Sequence, residues 1–402
     1  MLIVLRNRAL SGFMLGHFTN DLFMGVLTAL LPILKSEYGL SNAEIGLIAL
    51  VQSGTGSILQ PFFGIVADKI RLRWFVPAII LWDSIFVSLF GYARNEQQLL
   101  VLAAMLGIGS AAFHPYGASG AAHAAEHRHL NSSLSIYTVA GTSGWAIGPL
   151  IATALIALFG PHGTIGFVAI GIGGSILIAS RMTTPVRHEH ATAAASTVDA
   201  EPVQWGRLSA IIGIVMLRSW VFLAFLSLLP IHYKELGYRL GFYNLLPTIM
   251  ILSGAVGTLI GGRMADQISG RRIIISSQLL SIIPALAAAQ VDSAWVMPAA
   301  ALFGMLSDSS LSITLLAAQR LLPGRTGLAS GVILGLGFVS GSLGVPITGA
   351  LADRTSIPTA LTISLVLAVA AAAVTALLPS SLFDLARRES RAVARQPSEA
   401  TA

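Results

Sequence analysis

Residues 30–33 read Leu30-Leu31-Pro32-Ile33, and residues 228–231 read Leu228-Leu229-Pro230-Ile231, the same four residues at an offset of 198 (228 minus 30). The offset recurs. Gly39 pairs with Gly237, Gly64 with Gly262 and Asp68 with Asp266, each again 198 positions apart (237 minus 39, 262 minus 64, 266 minus 68). One offset held from residue 30 to residue 68 marks an internal duplication.

The duplicated stretches lie in apolar sequence. Of the 402 residues, 54% are hydrophobic and only 10% charged, with a mean hydropathy of +0.78; a soluble domain carries about 25% charged residues. Runs such as Ile45 to Leu59, Val76 to Phe90 and Ile363 to Leu378 approach the roughly 20 residues that an α-helix needs to cross a bilayer. Twelve spans are expected near 9–35, 44–67, 74–93, 98–122, 131–158, 163–181, 207–232, 240–265, 272–291, 295–320, 326–352 and 357–379. Arg6 and Arg8 precede the first, as in a signal peptide, but the apolar stretch continues to Leu34 without a clear small-residue cleavage site. It therefore reads as a retained span. Residues 182–206 are polar and Ala/Thr-rich, a composition that cannot build a core. The expected organisation is a six-helix bundle at 1–181, a cytoplasmic linker at 182–206, a second six-helix bundle at 207–379 and a cytoplasmic tail at 380–402. Tandem halves of this kind are a transporter architecture, with the substrate at their interface.

Lys and Arg placement sets the expected orientation. With the N-terminus inside, 18 of the 24 basic residues fall in inside segments and 5 outside (Lys35, Arg94, Lys234, Arg239 and Arg354), leaving Arg218 within a span. The positive-inside rule then puts both termini in the cytoplasm, in a cell inner membrane.

Other function classes are weak. With Cys 0, disulfides, thiolate zinc sites and cysteine nucleophiles drop out. The net charge of +6 is scattered through short loops, so no nucleic-acid partner is expected. No phosphate-binding loop is present to hold ATP. His123-Ala-Ala-Glu126-His127 matches a metalloprotease pattern, but it lies where span 4 enters a short loop and reads as a solvated cluster. No catalytic residue, cofactor or metal is expected. A membrane-embedded enzyme or a sensor is the distant alternative, against which the repeat argues.

The loop after span 2 reads Gly64-Ile-Val-Ala-Asp68-Lys69-Ile-Arg71-Leu-Arg73, and the loop after span 8 reads Gly262-Arg263-Met-Ala-Asp266-Gln267-Ile-Ser-Gly270-Arg271-Arg272. Both resemble the signature loop of the major facilitator superfamily. That resemblance implies a gate: the Gly lets two helices approach, and the Asp receives a helix N-terminus and a basic partner. Gly64, Asp68, Lys69, Arg73, Gly262, Asp266 and Arg271 are the gating candidates. Span 5 carries Gly141, Gly144, Gly148 and Pro149, which permit close helix contact; in this superfamily a similar motif is associated with exporters.

A finer resemblance rests on His17-Phe-Thr-Asn20-Asp21, Leu59-Gln60-Pro61-Phe-Phe-Gly64, Gly107-Ile-Gly109-Ser110-Ala-Ala-Phe113-His114-Pro115, Ala318-Gln319-Arg-Leu-Leu-Pro323-Gly324 and Gly349-Ala-Leu-Ala-Asp353. Together these are similar to the fosmidomycin-resistance family of that superfamily. The likeness covers roughly residues 10–380. It implies twelve spans and proton-driven efflux of small drugs, notably phosphonate antibiotics. The chain departs from the family where a Glu follows Phe-His-Pro and an Arg lies three residues beyond it: here stand Tyr116 and Ser119.

Ionisable residues inside spans cost about 2.5–3.5 kcal/mol at the helix centre on insertion scales and default to functional candidates. Here they are His17, Asp21, Asp83, His114, Arg218 and Asp308. Asp21 lies one turn from His17 on the same face, and counting 1.5 Å per residue along the two spans sets Asp21 and His114 at comparable depth. Asp21, His114 and Asp308 are the proton-coupling candidates. His17, Asn20, Gln52, Gln60, Tyr137 and Arg218 are the substrate-binding candidates, and Asp83 is set aside as peripheral. The expectation is a monomeric, all-α secondary transporter that exports a small drug or anionic metabolite against protons by alternating access. Its partners are then the lipid bilayer, protons and the small-molecule substrate; uptake of an organic anion is the alternative.

Overall fold

A computed structural model describes residues 7–69, 74–125, 130–182, 204–322 and 326–383. Among them are twelve helices long and apolar enough to cross a membrane, as expected. Spans 1–6 are Arg8–Tyr38, Asn42–Val66, Phe75–Tyr92, Glu96–Ala124, Ile136–Phe159 and Pro161–Arg181; spans 7–12 are Trp205–Glu235, Leu240–Ala265, Gly270–Gln290, Val296–Leu321, Gly335–Arg354 and Ile357–Leu377.

The ends follow local chemistry. Asn7 Oδ1 accepts the Leu10 amide at 3.1 Å to open span 1, and Gly39 closes it at φ 65. Span 7 closes in the same way on Gly237 at φ 87. Only glycine adopts this left-handed cap without strain, so the repeated Gly39 and Gly237 are repeated helix ends. Ser41 and Glu44 cap span 2 reciprocally, with Glu44 N to Ser41 Oγ at 3.1 Å and Ser41 N to Glu44 Oε2 at 2.7 Å.

Three spans expected to be continuous are interrupted, span 12 only at Leu365, between Ile357–Ser364 and Val366–Leu377. Span 2 breaks between Ile58 and Gln60, because Pro61 has no amide hydrogen to continue the ladder. Span 10 breaks after Asp308 and resumes at Leu311. There Ser309 Oγ donates to Leu306 O at 2.8 Å and Ser310 Oγ to Ser307 O at 3.4 Å, side-chain bonds that compete with the helical ones.

The chain forms two compact units. One comprises Met1–Ala194, Leu223–Leu252 and Ser342–Ala360; the other comprises Ala195–Phe222, Ser253–Gly341 and Leu361–Ala402. In the first, spans 1 and 5 meet almost backbone to backbone. A Cβ on Gly144 would lie 2.0 Å from Phe18 O, one on Gly148 2.2 Å from Leu22 O, and one on Gly25 2.3 Å from Trp145 O. The glycines of span 5 are thus spent on packing against span 1. The second unit closes on apolar contacts among Leu208, Ile211, Ile274, Ile313, Leu321 and Phe383, all buried.

Candidate functional site

In the first unit, span 1 presents His17 and Asp21 one turn apart, and span 4 presents His114. Asp21 Oδ2 lies 3.3 Å from His17 Nε2, and Asp21 Oδ1 lies 3.4 Å from His114 Nε2. The other nitrogen of each ring is committed. His17 Nδ1 donates to Tyr137 O at 2.9 Å, and His114 Nδ1 donates to Ser110 O at 2.8 Å. A carbonyl oxygen only accepts, so both rings carry hydrogen on Nδ1 and turn Nε2 toward one carboxylate. Tyr137 stacks on His17 at 4.2 Å between centroids, and the two histidine rings stand edge to face at 5.4 Å. A Cβ on Gly141 would sit 2.4 Å from His17 Nε2; that position must be glycine for the ring to occupy its place. The side chains are 10% exposed at His17, 18% at Asp21 and 32% at His114, so the carboxylate is enclosed and His114 opens toward solvent.

Behind this cluster lies a residue that the sequence reading set aside. Asp83 is fully buried and accepts Asn20 Nδ2 at 2.7 Å. Its Oδ1 packs where a Cβ on Gly109 would lie, 1.8 Å away. Asn20, expected to touch substrate, is itself fully buried, and its amide is held by Asp83.

The second unit repeats the theme. Arg218 of span 7 donates through Nη1 to Asp308 Oδ1 of span 10, and through Nη2 to Ser219 Oγ at 3.2 Å. The break in span 10 begins just past this carboxylate, and Asp308 O accepts Thr258 Oγ1 at 3.0 Å. Arg218 and Asp308, expected to serve substrate and proton separately, form one ion pair, in which Arg218 is buried and Asp308 half-buried. Arg218 Nε is buried with no hydrogen-bond partner among the described residues. At the offset of 198, Arg218 and Asp308 correspond to Asn20 and Ser110, so a polar contact between a half's first and fourth spans occurs in both halves, with different chemistry.

The other candidates are placed as follows. Gln52 is buried and donates to Met24 O at 3.2 Å. Gln60 sits half-buried at the break in span 2. Tyr137 is buried, and its hydroxyl has no hydrogen-bond partner among the described residues. Tyr116 is buried in an aromatic cluster with Phe75 and Phe13, at 4.8 and 6.5 Å. Ser119 offers its carbonyl to His123 Nδ1 at 2.7 Å; Glu126 and His127 of the metalloprotease-like string lie outside the described residues.

Of the gating candidates, Arg73 lies outside the described residues, as do the side chains of Asp68, Lys69 and Asp266. Gly64 makes only ordinary contact, a Cβ there lying 3.9 Å from Pro115 Cβ, whereas one on Gly262 would be 3.2 Å from Ser312 Oγ. Arg271 Nη2 donates to Ala376 O.

A close helix approach with a capping carboxylate occurs elsewhere, on Gly349 and Asp353 at the end of span 11. Asp353 Oδ1 accepts Asn42 N and Asn42 Nδ2, both at 2.8 Å, and Oδ2 accepts Ala43 N at 3.0 Å. The carboxylate thereby caps the N-terminus of span 2, where the helix dipole favours it. A Cβ on Gly349 would lie 2.3 Å from Asn42 O, and one on Gly46 2.5 Å from Pro346. Nearby, Lys35 pairs with Glu235, and Lys234 Nζ donates to Pro32 O at 2.7 Å. The spacing Gly-x-x-x-Asp at 349–353 matches that at 64–68 and 262–266, a signal by which this contact could have been found.

Twelve apolar spans joined by buried polar contacts define a polytopic membrane protein, and comparison with known proteins gives its class as a transporter. The chain belongs to the Major Facilitator Superfamily, whose sequence profile matches residues 13–345 and 208–400. It is 30% identical over 356 residues to the fosmidomycin resistance protein of Escherichia coli, covering 87% of each chain. It is 29% identical over 361 residues to an uncharacterized MFS-type transporter of Bacillus subtilis, again covering 87% of each. Among solved structures, a bacterial homolog of the human lysosomal transporter Spinster superposes with a TM-score of 0.77 at 16% identity, covering 93% of this chain and 96% of that one. The nucleoside transporter NupG gives 0.74 at 14% identity, covering 94% and 100%.

Proposed function

We propose that the protein exports a small anionic molecule in exchange for protons by alternating access in a bacterial inner membrane, with both termini in the cytoplasm. The observation that carries this reading is the placement of two histidine Nε2 atoms against one enclosed carboxylate, with both Nδ1 hydrogens already spent. Nε2 is then the atom that gains or loses a proton, and Asp21 is the charge that holds it there. A proton crossing such a site yields about 2.3 kcal/mol per 100 mV. The Arg218–Asp308 pair supplies the substrate arm: the unpartnered Nε of Arg218 is a donor for an anionic group, and an incoming anion competes with Asp308 for the guanidinium. The likeness to the fosmidomycin resistance protein favours export and a phosphonate-type anion over uptake.

For gating, we assign Asp353 on the N-terminus of span 2 and the Lys35–Glu235 pair to closure of the outer end, the side on which the basic-residue count places them. Asp68 and Asp266 are assigned to the inner end. The two six-helix halves at 1–181 and 207–379 are the moving bodies, joined by the linker at 182–206, and the unit that transports is a monomer.

The test uses purified protein in liposomes holding a pH-sensitive dye. Addition of phosphonates, one at a time, should move protons in the direction opposite to the substrate. Growth of a drug-sensitive strain with and without the gene should show protection by the same compound. Protons moving together with the substrate would replace export by uptake.

A further inference from the structure

We infer that His17, Asp21 and His114 form a binding site for a first-row divalent transition-metal ion. This goes beyond the exchange of protons and does not depend on the direction of transport. One ligand atom from each residue can be drawn so that all lie within 4.8 Å of one another. Tetrahedral Zn²⁺ with bonds of about 2.0–2.1 Å to nitrogen and oxygen has ligand–ligand edges of about 3.3–3.4 Å. The His17–Asp21 and His114–Asp21 contacts are 3.3 and 3.4 Å. The set needs only closure of the two rings on one another to surround an ion.

Two further observations point the same way. Metal-bound histidines almost always donate their other ring hydrogen to a carbonyl or carboxylate, which fixes the tautomer and orients the lone pair. Both rings here do so, His17 to Tyr137 O at 2.9 Å and His114 to Ser110 O at 2.8 Å. In addition, His17 and Asp21 are spaced i, i+4 on one helix, the spacing that lets two ligands of a single segment reach one ion. The exposure of His114, 32% of its side chain, leaves a route in and an open coordination position. Two imidazoles and one carboxylate, with no thiolate, favour Zn²⁺, Co²⁺ or Ni²⁺ over Mg²⁺ and Ca²⁺, which take oxygen sets.

The chain holds nine histidines, and the rival ligands are the histidines at sequence positions His123, His127 and His129. Untagged protein in detergent is titrated with Co²⁺, and the visible d–d bands are recorded. One tetrahedral ion per chain is expected. Binding should fall at least about 100-fold in His17→Gln and in His114→Gln, beyond the 10- to 100-fold typical of second-shell changes. It should survive in the combined His123→Gln, His127→Gln, His129→Gln variant. Should a site variant fail to fold, X-ray absorption on the Zn²⁺-loaded wild type decides by showing two imidazoles and a carboxylate. The absence of bound ion in folded wild type, its loss with the 123–129 histidines, or an all-oxygen shell would overturn the assignment.

Discussion

Gly141→Ala perturbs the His17 site by a single methyl group. That methyl would lie 2.4 Å from His17 Nε2, 2.5 Å from Cε1 and 2.6 Å from Cδ2. Such contacts relax at about 3.5–4.0 Å, so the ring must retreat by roughly 1 Å. It is tied on two sides, through Nδ1 to Tyr137 O at 2.9 Å and by its stack on Tyr137 at 4.2 Å. The retreat therefore pulls Nε2 off Asp21 and lengthens the 3.3 Å contact. Overpacking of this kind costs about 1–3 kcal/mol, which a folded chain survives, whereas a 1 Å misplacement of a working group costs on the order of 100-fold in rate. Gly141→Ala should reach the membrane in near-normal amount and lose proton-coupled transport by about 10- to 100-fold. Gly144→Ala and Gly148→Ala strike backbone oxygens at 2.0 and 2.2 Å, which cannot rotate away; these two should lose expression and thermal stability instead. The assay is membrane abundance by immunoblot alongside transport into vesicles. Wild-type transport by Gly141→Ala, or the same loss of protein as in Gly144→Ala, would refute the reasoning.

Other perturbations read other parts of the molecule. Arg218→Gln and Asp308→Asn should each destabilise by about 3–5 kcal/mol, as single deletions in buried pairs do, while the double variant loses less than their sum; additive loss in detergent melting curves would mean the pair is not coupled. Asp83→Leu strands the Asn20 amide and should cost about 1–3 kcal/mol, with Asp83→Asn milder; equal melting temperatures for all three proteins would count against the buried bond. Asp353→Ala removes the acceptor of two backbone amides and one side-chain amide and should increase labelling from outside. That labelling is read on single cysteines placed in the cysteine-free chain near residues 35 and 235; unchanged labelling would contradict the gate.

Much of the fold was legible because membrane spans announce themselves as apolar runs and the duplication fixes their number. The comparable depth of Asp21 and His114 follows from residue counts along two helices, and their contact at 3.4 Å is what the structure adds. What was not legible depended on partners far away in sequence. Arg218 and Asp308 read as separate functions until span 7 met span 10 across 90 positions. Asn20 and Asp83 make the same point across 63: one was expected at the substrate and the other set aside, yet the amide of one donates to the carboxylate of the other. The break of span 10 was hidden because serine is neutral in a hydropathy pattern, although two consecutive serines bond back to the helix. Asp353 belongs to a recognisable motif but has no legible role in sequence, since only the approach of span 2 shows which amides it receives.

The central claim is that the charge of Asp21 holds the coupled proton on the histidine Nε2 atoms that face it, and the direct measurement is transport by Asp21→Asn in liposomes under an imposed pH gradient. The substitution keeps the side chain's size and leaves both Nδ1–carbonyl bonds in place, removing only the charge that faces the two Nε2 atoms. Substrate should still bind and exchange down its own gradient, but the pH gradient should no longer drive accumulation. Accumulation by Asp21→Asn that follows the imposed gradient as the wild type does would contradict the assignment and leave the proton to His114 or to Asp308.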